Sequence, residues 1–136
     1  MILENAQSLP LCDPEAVPKN PVTTNLAKGL NFAVDHYLQD RKLIASAPKV
    51  NVLAILFVLE YGARNKLDMR LLEYAVDDQR RQSAAVGVRV VVLGKTLREV
   101  EEGILDEKTR VLTIDGFEVS VVYFRTGYSP DQYPTG

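Results

Sequence analysis

Tryptophan is absent from this 136-residue chain, and cysteine and histidine occur once each, as Cys12 and His36. A single cysteine cannot close an intrachain disulfide, so a reducing compartment, the cytoplasm, is the expected location. One cysteine and one histidine cannot furnish a Cys/His zinc site, and no metal centre is expected. They leave no nucleophile–histidine pairing either. His36 stands off the apolar stripe of its helix, one turn after Phe32, and reads as a surface residue. Cys12 sits among prolines and reads as a spectator thiol. No catalytic residue is assigned. An excess of one charge is also missing: 16 basic against 18 acidic residues leave −2. Nothing in that balance favours a nucleic acid or an anionic membrane as partner. The longest apolar run, Val50–Leu59, is interrupted by Asn51 and falls far short of the roughly 20 residues that span a bilayer. The start, Met-Ile-Leu-Glu-Asn, has no basic stretch before an apolar one and does not read as a signal peptide. No glycine-rich phosphate loop follows a strand; Gly94-Lys95-Thr96 lacks the upstream glycine and reads as a strand end with a cap.

What is present suits one globular domain: 46% hydrophobic and 25% charged residues. Four of the seven prolines lie in residues 1–22, predicting an irregular arm with one helical turn near 2–8 and a domain over 23–136. Leu26, Leu30, Ala33, Val34, Tyr37 and Leu38 share one helical face and predict a helix over 24–41, capped by Thr23 or Thr24. Residues 49–59 are apolar almost throughout, the pattern of a strand covered on both faces. A helix over 66–84 follows, with Asn65 as its cap and Leu67, Leu71, Leu72, Ala75 and Val76 inward. Residues 88–93 predict a second buried strand, and Thr96 caps a short helix to about Glu102. Residues 103–109 read as a loop. Strands over 110–114 and 117–124 are joined by Asp115-Gly116, a pair suited to a type I′ hairpin turn. The order α-β-α-β-α-β-β predicts an α/β fold, a three-layer α/β/α sandwich whose mostly parallel sheet carries an antiparallel edge hairpin.

Two places stand out chemically. Tyr61-Gly62-Ala63-Arg64-Asn65 follows the first strand and opens a helix, and ligands of open α/β sheets bind beyond the carboxyl ends of strands. Arg64 and Asn65 there suit an anionic ligand, although a cap and a surface charge explain them as well. Phe124-Arg125-Thr126-Gly127-Tyr128 closes the last strand. Arg125 can grip a carboxylate with two parallel hydrogen bonds, and Tyr128 offers a hydroxyl on a rigid ring. A strand end turning toward Pro130 is the plainer reading of the same residues. The acidic pairs Asp77-Asp78 and Glu101-Glu102, balanced by Arg80, Arg81 and Arg98, read as solvated faces.

The run from Ile114 to Tyr133, centred on Tyr123-Phe124-Arg125-Thr126-Gly127-Tyr128, resembles the signature of eukaryotic-type glutathione synthetases. Asn20-Pro21 is similar to the entry of that family's substrate-binding domain. Arg64-Asn65-x-x-Asp68-x-Arg70 resembles its Glu-Arg-Asn-x-x-Asp-Gln-Arg motif. The resemblance implies the domain, Rossmann-like and of pre-ATP-grasp type, that accompanies ATP-grasp enzymes. It implies part of an ATP-dependent ligase that joins γ-glutamylcysteine to glycine through an acyl phosphate, with ATP and Mg²⁺ held by a body this chain does not contain. No cofactor is expected in this chain, and the chain alone is not expected to catalyse the reaction. Arg64, Asn65, Arg125 and Tyr128 would contact the dipeptide. Ala63 and Met69 stand where the family has Glu and Gln, and Lys66 changes the charge beside them. Each lost polar contact is worth about 1–3 kcal/mol, so an altered or weakened site is expected. A non-catalytic use of the same domain, as an engineered scaffold or a diverged self-associating module, is the alternative. The expected partners are the dipeptide and either the ATP-grasp body or a second copy of the chain.

Overall fold

The computed structural model describes residues 18–42, 50–62, 66–82 and 87–133. The expected helical turn near residues 2–8, Cys12, and the positions Ala63, Arg64 and Asn65 lie outside them. Helix α1 runs Val22–Lys42. Its first N–H, that of Val22, donates to Asn20 Oδ1 at 3.1 Å, so Asn20 serves the helix start and Thr23 and Thr24 lie inside the helix. Strand β1 is Val52–Leu59 and helix α2 is Lys66–Gln82. Strand β2 is Arg89–Lys95, followed by the single turn α3, Leu97–Val100. Strands β3, Ile104–Leu105, β4, Leu112–Ile114, and β5, Phe117–Arg125, complete the sheet. A 3₁₀ turn over Pro130–Gln132 follows.

The sheet order is β2-β1-β5-β4-β3. Strands β2, β1 and β5 are parallel, and β5, β4 and β3 are antiparallel. This is the expected α/β sheet with an antiparallel edge, enlarged by β3 in a stretch that reads as loop. The β4–β5 turn has φ +51° at Asp115 and +80° at Gly116, the two left-handed residues of a type I′ turn. Strand β1 is buried on both faces, as its unbroken apolar run requires. Strand β2 is only half-buried: it is an edge strand, and its apolar run cannot distinguish an edge from an interior position.

Helices α1 and α2 cover one face. Ala27, Leu30, Val34 and Leu38 of α1 meet Leu53, Ile55 and Phe57 of β1 and Met69, Leu72 and Val76 of α2. The inward stripe of α2 differs from the expected one. Leu67 and Leu71 are 79% and 59% exposed, while Met69, Leu72 and Val76 face the core. The helix contains two apolar stripes, and only docking against α1 and the sheet selects between them. Asn31 Nδ2 donates to the Val76 carbonyl at 3.2 Å, and Arg80 pairs with Asp35 at 2.7 Å, fastening α2 to α1.

The other face is thinner. Ala54, Leu56, Val58, Ile114 and Val119 are buried under Leu97 and Val100 of α3. Thr96 and Glu99 form a capping box at its start, as the sequence suggested for Thr96. Beyond this one turn the face is open, and Val122 and Phe124 are exposed there.

One irregularity sets the direction of the last strand. Along β5, Val119 pairs with Ala54 but Val121 pairs with Ile55, so Ser120 is an extra residue. Its Oγ donates to the Ala54 carbonyl at 2.9 Å. Before this bulge Val119 faces α3; after it Val121 and Tyr123 face α1 and α2.

Candidate ligand-binding site

Strands β1 and β5 end side by side, with Leu59 opposite Arg125. Phe57 and Tyr123, one register pair earlier on the same face, meet edge to face at 5.2 Å within the α1/α2 core. Leu59 packs on that core too, so strand alternation places Arg125 on the α1/α2 side of the sheet. Its Nε is buried without a hydrogen-bond partner among the described residues. A buried donor left unmade costs about 1–3 kcal/mol, so this guanidinium is suited to an incoming acceptor. Helix α2, whose first turn carries Asp68, starts on the same side. Met69, the altered position of the resemblance, is one of the α2 side chains packed in the core beside Leu72 and Val76.

The loop after Arg125 is clasped. Gln132 Oε1 accepts from the backbone N–H of Gly127 at 2.9 Å and of Tyr128 at 2.7 Å. The Tyr133 hydroxyl donates to the Gly127 carbonyl at 3.2 Å. Gly127 has φ +86°, and a Cβ there would stand 2.7 Å from the Tyr133 hydroxyl oxygen. Only glycine fits both constraints. The clasp holds Tyr128 outward, 75% exposed, at the rim of the carboxyl edge. The structure therefore brings Arg125 and Tyr128 to the same strand end. Gln132 and Tyr133 entered the sequence reading only as the end of the Ile114–Tyr133 run, without a role; their spacing of five and six residues from Gly127 is what lets them return to it.

A cavity of about 690 Å³ opens at this edge on the α3 side, between α3, the end of β1 and the clasped loop. A neighbouring hollow of about 510 Å³ shares Leu59, Glu60, Tyr61, Thr96 and Arg98 with it and reaches Lys66 and Lys95. Hydrogen bonds from Thr96 hold the Glu99 carboxyl below its ordinary range, and Asp115 raises Lys95 above its own. Thr96 entered the sequence reading as a cap and Arg98 as a surface charge; their convergence with Thr126 depends on the chain returning through β5. Among the described residues no group of three His, Cys, Asp or Glu side chains is placed to hold a metal ion. No chemical step is routed through a metal or through ATP here.

A mostly parallel sheet whose carboxyl edge carries a buried arginine Nε unpartnered among the described residues, a fastened loop and a cavity defines an open-sheet α/β domain, the class in which ligands bind beyond the carboxyl ends of strands. Comparison with known proteins narrows the class. A profile of the family described as eukaryotic glutathione synthase matches residues 53–136, and the chain belongs to that family. It is 31% identical to the glutathione synthetase large chain of Schizosaccharomyces pombe over 140 residues, 91% of this chain and 27% of that one. Glutathione synthetase of Xenopus laevis is 41% identical over 80 residues, 58% of this chain and 15% of the relative. The chloroplastic glutathione synthetase of Arabidopsis thaliana is 29% identical over 123 residues, 90% and 19% of the two chains. This chain thus spans about a quarter or less of the length of these relatives. Among the described residues no helix is long and apolar enough to cross a membrane.

Proposed function

We propose that this chain is the γ-glutamylcysteine-binding part of a cytoplasmic glutathione synthetase, an ATP-dependent ligase whose ATP-grasp portion lies outside it. The observation that carries the reading is Arg125. It sits at the carboxyl end of β5 with a buried Nε that has no partner among the described residues, inside the segment matched to the family. Arg125 grips a carboxylate of the dipeptide, and Tyr128 closes the rim with its hydroxyl. Arg64 and Asn65, which precede α2 in the sequence, are the further dipeptide contacts that the family resemblance implies. These groups bind and orient; with no nucleotide-gripping residues assigned in it, the chain by itself is not catalytic.

Titration calorimetry with γ-glutamylcysteine tests this. Dissociation constants in the millimolar range are expected for the chain, weakened about tenfold or more by Arg125→Ala. No binding at about 10 mM dipeptide, or full binding by Arg125→Ala, would refute the assignment. A diverged module with a lost site is favoured by one observation, the burial of Met69 where the resemblance implies a dipeptide contact. That reading requires the chain not to bind and Ala63→Glu to leave it silent.

A further inference from the structure

The cavity on the α3 side does not belong to the Arg125 site. The bulge at Ser120 turns Arg125 toward α1 and α2, whereas Thr126 lines the cavity on the opposite side. Thr126 is buried, 5% exposed, yet its hydroxyl makes no hydrogen bond among the described residues and is not among the sealed-off polar atoms. A buried, unpartnered hydroxyl on a residue that lines a cavity can take a hydrogen bond from a ligand there. The ionised groups around it are equally uncommitted. Arg98, Glu60, Glu101 and Asp131 line the cavity. None of the four has a side-chain hydrogen bond or ion pair among the described residues. Three carboxylates against one guanidinium give a net charge of −2. That balance repels phosphates and dicarboxylates and attracts ammonium groups, while the lone arginine still offers a carboxylate its place. Leu59 and Leu97 supply an apolar wall between these charges. The volume, about 690 Å³, is that of an ordinary small-molecule site.

We propose that this cavity binds an amino acid carrying a second ammonium group, with Arg98 holding its carboxylate, Asp131 and Glu101 its ammonium groups, and Thr126 accepting or donating a hydrogen bond at the floor. The proposal does not depend on the dipeptide reading, because Arg98, Glu101, Thr126 and Asp131 are not among the residues assigned to the dipeptide.

The test is a two-dimensional ¹⁵N–¹H titration of the chain with L-lysine, with cadaverine (no carboxylate) and with succinate (no ammonium). Lysine shifts resonances within residues 96–101 and 126–133, cadaverine does so more weakly, and succinate does not. Arg98→Ala weakens lysine about tenfold and does not weaken cadaverine. Asp131→Asn weakens both. Arg98 is exposed, so its substitution leaves the fold intact, and the unchanged remainder of the spectrum verifies this. Absence of localised shifts at about 50 mM lysine, an equal response to succinate, or unchanged lysine affinity in Arg98→Ala overturns the proposal. Because the dipeptide is read through Arg125→Ala and lysine through Arg98→Ala, the two readings fail separately.

Discussion

Replacing Glu118 tests how α1 is held to the sheet. Before the Ser120 bulge, Glu118 points to the α1 side and meets Arg41 and Tyr37. Its Oε1 accepts from Arg41 Nε, its Oε2 from Arg41 Nη2 at 2.7 Å, and Oε1 also accepts from the Tyr37 hydroxyl at 2.7 Å. The Glu118 and Arg41 side chains are 12% and 10% exposed, so the pair is nearly dry. Burial alone would raise the Glu118 carboxyl, but the hydrogen bonds from Arg41 and Tyr37 outweigh it and hold the carboxyl below its ordinary value. Removing one member of a buried pair costs about 3–5 kcal/mol, and the residual exposure moves the expectation to about 2–4 kcal/mol for Glu118→Leu. Arg41→Met falls in the same range. The double substitution exchanges the pair for apolar surface and is expected to cost less than the sum of the two by about 2 kcal/mol. Urea unfolding followed by circular dichroism supplies all four corners of the cycle. A cost for Glu118→Leu below about 0.5 kcal/mol, or additive single substitutions, would refute the reasoning. The pH dependence has a fixed sign. A carboxyl lowered on folding stabilises above its unfolded value and loses that stabilisation as pH falls through the folded value. The stability of the unsubstituted chain should therefore drop below about pH 4.5 more steeply than that of Glu118→Leu.

Other outcomes follow from single sites. Burial, then the hydrogen bond to Glu118, raise the Tyr37 hydroxyl to about 12. A group raised on folding stabilises below its unfolded value, so stability should decline above about pH 10, and Tyr37→Phe should lose that alkaline decline. Gly127→Ala should cost about 1–3 kcal/mol in thermal unfolding, from a positive φ and the collision with Tyr133; Tyr133→Phe in the same background should not restore it, since the strain in φ persists. Met69→Gln should destabilise by about 1–3 kcal/mol because it buries an amide in the α1/α2 core, whereas a solvated site position would tolerate it within about 0.5 kcal/mol. Thr96→Ala should lose about 1 kcal/mol with the capping box, and Thr96→Ser should retain most of it in the same urea assay.

Much of the fold is written in local pattern. The stripe Leu30, Val34 and Leu38 marks α1 and its buried face, because these residues recur at helical spacing along one side. The apolar run of β1 demands cover on both faces, and Asp115-Gly116 demands a type I′ turn. Met69 and Leu67 show where pattern stops. Both lie on α2 among apolar neighbours, and only contact with α1 and β1 decides that one enters the core and the other faces solvent.

By itself the sequence determined the order of the elements other than β3, the burial of β1 on both faces, the hairpin, and the Tyr-Phe-Arg-x-Gly-Tyr segment at the last strand end. These depend on residues close along the chain, whose spacing sets backbone period and turn geometry. The tertiary structure alone decided which way Arg125 faces. Strict alternation from Val119 would place Arg125 on the α3 side, with Thr126 opposite. The extra residue Ser120, fixed by its bond to the Ala54 carbonyl of another strand, reverses both. A bulge is a property of the pairing between two strands, and the register of that pairing is settled by the core they bury together.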